Sequence, residues 1–255
     1  MLNLMKGEWA RMMARTKTKV ILILYFLAVL FICVFLKAMG TGMVDITRSF
    51  HLDELNLSPY LLRELSILLN FLLIPMLAAD SFNGEYTSGA YRMMLLRPVS
   101  HARLVTAKWL VQALMLLALT LVTGVVGTAF GRLFLPSAET TQFLGMSPVG
   151  PGKALAYTVV FYLIFYLVEL AVLALAAFFS TIAPHPILAY ACTVCGLIGA
   201  MYVSDRLSFL FSSSDAIFAL LGGEGGTSML VVSALCVMMA YSAVLLLWKK
   251  RDWRQ

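Results

Sequence analysis

The sequence predicts an all-α, polytopic membrane protein with six transmembrane helices. Three observations carry this. Of 255 residues, 61% are hydrophobic and only 13% charged, against about 45–50% and about 25% in soluble domains. The apolar residues gather into six stretches, and a crossing needs about 20 mostly apolar residues. The basic residues collect at alternate ends of those stretches, which is the charge bias that orients helices in a bilayer. A soluble core, a disordered chain, a collagen-like fibre and a disulfide scaffold are excluded. The net charge of +6 does not point to nucleic acid, because the Lys and Arg sit at span ends and no aromatic-basic RNA motif is present. Cys33, Cys192, Cys195 and Cys236 all fall inside apolar runs, against a disulfide framework. No cleavable signal peptide is expected.

Residues 1–18 are expected to form an amphipathic helix lying in the membrane interface. Leu2, Met5, Trp9, Met12 and Met13 share one face at helical spacing, and Arg11, Arg15 and Thr18 lie opposite. Residues 19–255 read as a single six-span domain, with spans at about 20–37, 60–79, 109–130, 155–179, 187–203 and 229–248. The second carries Arg63 and Glu64 at its outer end, able to pair or snorkel, and a Pro75 expected to kink it. Segment 204–228 lies outside yet is apolar (RLSFLFSSSDAIFALLGG), which suggests a short re-entrant or interfacial helix pair. A cytoplasmic N-terminus gathers Lys6, Arg11, Arg15, Lys17 and Lys19, then Arg92, Arg97, Arg103 and Lys108, then Lys249, Lys250, Arg251 and Arg254 on the inside. Both termini are therefore expected in the cytoplasm of a multi-pass cell-membrane protein.

The longest cytoplasmic loop, 80–108, holds residues suited to a task. Gly84 and Gly89 let the chain leave the line of span 2, and Pro98 bars one continuous helix. Tyr91, Met93, Met94, Leu95 and Leu96 are apolar yet outside the membrane. Ser100 stands as N-cap of the next helix. A short, partly apolar helix between two spans suits a partner's groove. The same residues also fit a turn whose Tyr and Met lie on the membrane surface.

Here the chain resembles the permease subunits of ABC-2-type transporters. The resemblance rests on Phe82, Glu85, Gly89, Arg92, Pro98, Arg103 and Lys108, in the pattern F-x-x-E-x-x-x-G-x-x-R…R-P-V-S-x-x-R-x-x-x-x-K, and on the opening Met1 to Trp9. It implies an N-terminal elbow helix and a cytoplasmic coupling helix over about 85–96, inserted into a groove of a separate nucleotide-binding subunit. ATPase coupling then falls to Phe82, Glu85, Gly89, Tyr91, Arg92, Met93, Met94 and Pro98. It further implies two permease chains, identical or not, forming a substrate path, with ATP and Mg bound in the partner ATPase. The departure is Ala90-Tyr-Arg-Met-Met, richer in Met than the pattern.

The chain itself lacks the machinery to hydrolyse nucleotide. The nearest string to a phosphate-binding loop, Gly145 to Gly150, is followed by Pro151 instead of Lys, so it reads as a turn. His51, His101 and His185 form no H-E-x-x-H motif, His185 lies in a tight Ala-Pro-His-Pro turn, and Cys192 and Cys195 lack a second pair. The chain is thus expected not to be an enzyme and to hold no cofactor or metal. Glu169 stands apart. A charge at mid-span costs about 2.5–3.5 kcal/mol on insertion scales, and Tyr166, Asn70 and Gln112 are its candidate hydrogen-bond partners. These four either line a translocation path or dimer seam, or Glu169 is a protonated carboxyl that holds two helices together. The expected function is that of an ATP-driven permease, an exporter. The rival reading is a self-contained ion-coupled transporter that uses Glu169.

Overall fold

The computed structural model describes residues 1–45, 48–85, 100–223 and 225–250. An N-terminal helix, α1 (Leu2–Ala14), ends at an extended Arg15 and is followed by α2 (Thr16–Met39). Gly40 closes α2 in the left-handed conformation at φ 67°, where a residue without Cβ meets no strain. A small antiparallel hairpin follows, β1 (Thr41–Asp45) with β2 (Arg48–His51), with Thr41 opposite His51. Then come α3 (Leu57–Gly84), α4 (His101–Phe134), α5 (Pro151–Ile182) and α6 (Pro186–Val203). A 3₁₀ turn (Asp205–Leu210), α7 (Ser213–Leu221) and α8 (Ser228–Lys250) complete the chain. Among the described residues, six helices (α2 to α6 and α8) are long and apolar enough to cross a membrane. The β-hairpin has no counterpart in the sequence reading.

Helix α5 is the axle of the bundle. Its apolar surface runs nearly all round, and Phe161, Phe165, Val168, Val172 and Ala176 are buried against α3, α4, α6, α7 and α8. The near-continuous hydrophobic core links all of these helices. By contrast α2, α6 and α8 leave large apolar side chains uncovered, among them Phe31, Ile187, Tyr202 and Met239. Close approach of α4 to α3 and to the turn before it depends on two glycines. A Cβ at Gly131 would come within 2.9 Å of the Glu54 carbonyl oxygen, and one at Gly127 within 3.0 Å of Ser58 and Leu61 side chains.

Helix α3 is not a uniform α-helix. Its α-helical start (Leu57–Ile67) and a middle turn (Ile74–Ala78) alternate with π-helical stretches at Leu68–Leu73 and Ala79–Gly84. Pro75 opens the middle turn. The helix therefore runs on through the proline by changing its hydrogen-bond pattern. Ser100 occupies the N-cap position of α4 as expected, but its side chain makes no capping bond.

The two ends of the bundle differ. At the end remote from the termini, the 3₁₀ turn and α7 form the short helix pair suggested by the apolar 204–228 stretch. Phe218 packs between Tyr60 and Phe161 at centroid distances of 5.2 and 4.7 Å, stacked on the first and tilted against the second. Arg63 pairs with Glu64 (3.0 Å) and with Asp215 on α7 (2.7 Å). Over residues 135–150 the chain closes with a bridge between Thr141 and Val149 and buries Phe143 on Tyr157. The other end carries the termini of α2 and α8 and is described next.

Candidate functional site

At the end of the bundle that holds the N-terminus, charged side chains converge on a buried centre of Glu8, Glu85 and Lys108, with Arg11 and Lys17 at its exposed edge. They come from α1 (Glu8, Arg11), the break at Arg15, the start of α2 (Lys17), the end of α3 (Asp80, Glu85) and the second turn of α4 (Lys108). Lys108 has no exposed side-chain surface. Its Nζ donates to Glu8 Oε2 at 3.1 Å and to Glu85. Arg15 donates to Glu85 and to Asp80, the latter at 3.2 Å. Arg11 pairs with Glu8 and lies 4.0 Å from Glu85, and Lys17 lies 3.7 Å from Asp80. Desolvating these charges is costly. The arrangement survives because each buried carboxylate meets at least two cations.

This site corrects the expected faces of α1. Arg11 and Arg15, expected opposite the apolar face, pair with carboxylates of the cluster, and Glu8 beside them is buried. Of the apolar set, Met12 packs on Val111 and Met115 of α4, with Met5 and Met13 beside it, while Leu2 and Trp9 stay exposed. Thr18, expected on the polar face, is buried. The acids at the end of α3 decide the matter: Asp80 and Glu85, with Glu8 of α1 itself, draw the arginines inward.

Of the residues expected to couple to an ATPase, Phe82 is fully buried in the core and Glu85 belongs to the cluster. Gly89, Tyr91, Arg92, Met93, Met94 and Pro98 lie outside the described residues. Arg103 is exposed on the first turn of α4. Between Phe82 and Glu85, Asn83 donates from Nδ2 to the carbonyls of Ser180 (3.2 Å) and Ala183, and so satisfies the open C-terminus of α5.

Glu169 is completely buried inside the single chain. Its partner is Thr120 of α4, at 2.7 Å, and this corrects the expected set. The Asn70 amide donates to the Ser213 hydroxyl (2.7 Å), Gln112 to the Leu77 carbonyl (3.2 Å) and the Tyr166 hydroxyl to the Ala113 carbonyl (3.0 Å). Thr120 also lies 2.9 Å from the Leu116 carbonyl, so one hydroxyl stands between two oxygens. Asn70 and Gln112 are buried about as deeply as Glu169. A cavity of about 380 Å³ lies elsewhere, between α2, α3 and the start of α6, walled by Ile21, Leu72, Met76 and Ile187, with Lys17 and Asp80 at its charged rim.

The sequence reading counted Arg11, Arg15, Lys17 and Lys108 as topology charges and did not join them to Glu8 and Asp80. Their signal was present. Apart from Glu169, few acids fall on the basic side of the chain, and Glu8, Asp80 and Glu85 all do.

Six apolar helices around one buried axle, with a polar joint at one end, have the architecture of a multi-pass membrane protein. The profile of the ABC-2 family transporter proteins matches residues 6–196, three quarters of the chain, and the protein belongs to that family. Every residue of the ion cluster falls within the matched stretch. Comparison with individually characterised proteins gives no match.

Proposed function

We propose that this chain is the permease subunit of an ABC transporter, driven by a separate ATPase subunit that grips residues 86–99, and that it exports its substrate. In this reading the N-terminus and the ion cluster face the cytoplasm, ATP and Mg are held by the partner, and a second permease chain covers part of the apolar surface left open on α2, α6 and α8. Family membership supports the transport role.

The observation that carries the coupling mechanism is the ion pair between Glu85 and Lys108. Glu85 is the last described residue before segment 86–99, and Lys108 lies about two helical turns into the other stem. Their pair clamps the two stems. Glu8 and Arg15 tie that clamp to α1 and α2. A push on the segment then moves α1, α3 and α4 as one body, because breaking any of these buried pairs costs several kcal/mol. Rigid-body rocking of packed helices is a known repertoire for such a push. In this reading Glu169, Asn70, Gln112 and Tyr166 tie helices together, and they meet the substrate path only if those helices part.

The test is co-purification of the full chain with its ATPase partner, with and without scrambling residues 91–96. Loss of docking and of ATP-dependent transport in the scrambled chain is the expected result. Retained docking, or nucleotide hydrolysis by the purified chain alone, sinks the proposal.

A further inference from the structure

Pro75 and Tyr190 form a pairing that the coupling site does not use. Proline has no N–H, so residue 75 gives nothing to the carbonyl of Phe71, its partner four residues back in an α-helix. In a membrane interior a carbonyl deprived of its donor is costly, and neighbouring side chains make up the loss. Here the Tyr190 hydroxyl of α6 donates to the Phe71 carbonyl oxygen at 3.0 Å. The bond crosses from the fifth span to the second at the proline itself.

The surroundings have the character of a hinge. One π-helical stretch ends two residues before Pro75 and another begins four residues after it. Such stretches, like prolines, are where helices bend. Small residues let the two helices meet, since Tyr190 packs beside Ala79, Ala183 and Ala189. The ring also borders the 380 Å³ cavity, with Leu72 and Met76 across from it, which leaves the ring room to move. Below the hinge α3 ends in Glu85 and the ion cluster.

We infer that Tyr190 is a positioning residue: its hydrogen bond pins the Pro75 hinge of α3 to α6 and sets the swing of the half of α3 that ends in Glu85. The consequence for transport rests on the permease reading. The pinning itself does not, and its test needs no ATPase partner, so failure here leaves that reading standing.

The test is a cycle of four full-length proteins in lipid nanodiscs: the parent, Tyr190→Phe, Pro75→Ala and the double variant. Tyr190→Phe keeps the ring and removes the donor. Its Tm is expected to fall by about 2–4 °C, and amide exchange over residues 72–79 to quicken about fivefold, with residues 165–175 of α5 unaffected. Pro75→Ala returns a backbone N–H to the helix, so Tyr190→Phe in that background should change neither readout. Equal losses in both backgrounds overturn the inference. So does faster exchange spread evenly over all helices, or no change at all on removing the hydroxyl.

Discussion

Replacing Lys108 by Met removes the centre of the ion cluster and keeps most of its volume. The ammonium is fully enclosed, and Glu8 and Glu85 around it are nearly so. Without it, two carboxylates that shared one nitrogen face each other. Breaking a buried pair by deleting one partner costs about 3–5 kcal/mol. Glu85 keeps Arg15 and Glu8 keeps Arg11, so the lower end, about 3 kcal/mol, is the appropriate figure. For a chain of this size that corresponds to a fall in Tm of roughly 6–12 °C. The assay is a thermal melt in detergent or nanodiscs followed by tryptophan fluorescence, for which Trp109, next to Lys108, is a convenient reporter. Adding Glu85→Gln to Lys108→Met removes one of the stranded charges and should restore about 1–3 kcal/mol, a coupling measurable in a double-mutant cycle. Arg103→Ala, an exposed cation on the same helix, is the control and should stay within about 0.5 kcal/mol of the parent. If Lys108→Met melts with Arg103→Ala, the cluster contributes nothing and the clamp argument fails.

Glu169→Gln should assemble normally, with Tm changed by less than about 1 kcal/mol equivalent, because an amide can donate to the Thr120 hydroxyl while that hydroxyl serves the Leu116 carbonyl. Thr120→Val, which strips the buried carboxyl of its partner, should cost about 1–3 kcal/mol by the same melt. A larger loss from Glu169→Gln than from Thr120→Val would reverse this reading of the pair. Phe218→Ala empties a fully buried site packed between Tyr60 and Phe161 and is expected to cost about 3–5 kcal/mol. A near-neutral Tm would mean that α7 docks only loosely on the bundle.

The spans were legible in the sequence because a crossing helix is a matter of length and apolar composition, both one-dimensional. Each of the six apolar stretches falls inside or nearly inside a helix, and the helices run past them at the ends, as α4 does from His101 to Phe134. Thr41–Asp45 and Arg48–His51 were not legible as strands: they are short and mixed, and their pairing depends on where α2 and α3 leave the chain. The faces of α1 were misjudged for a related reason. Amphipathic reasoning assumes that the charged side meets water, and that fails when opposite charges arrive from elsewhere. Those partners are remote, 65 positions apart for Arg15 with Asp80 and 100 for Lys108 with Glu8. Glu85 and Lys108 were reached through the family pattern, not through any local rule. For Glu169, depth along the helices nominated Tyr166, Asn70 and Gln112. Rotation of α4 against α5 selected Thr120, and rotation is a tertiary property.

The ties along α3 bear on how force from its lower end can travel. At its far end Arg63 holds Asp215 and Asn70 holds Ser213, both at the start of α7. At mid-length the carbonyls of Phe71 and Leu77 receive Tyr190 of α6 and Gln112 of α4. Below these Asn83 caps α5, and Glu85 meets Lys108 and Arg15. Polar bonds thus fasten the helix at several points along its length to α7, α6, α4 and α5, whereas α2 and α8 offer mostly exposed apolar faces. Apolar surfaces slide at little cost, but a buried hydrogen bond must be exchanged for another or left open at about 1–3 kcal/mol. In the proposed coupling, a push entering at Glu85 would therefore not slide α3 through the bundle. It either carries α4 and α1 along as a block or bends α3 where the bond pattern is already altered, in the π-helical stretches around Pro75.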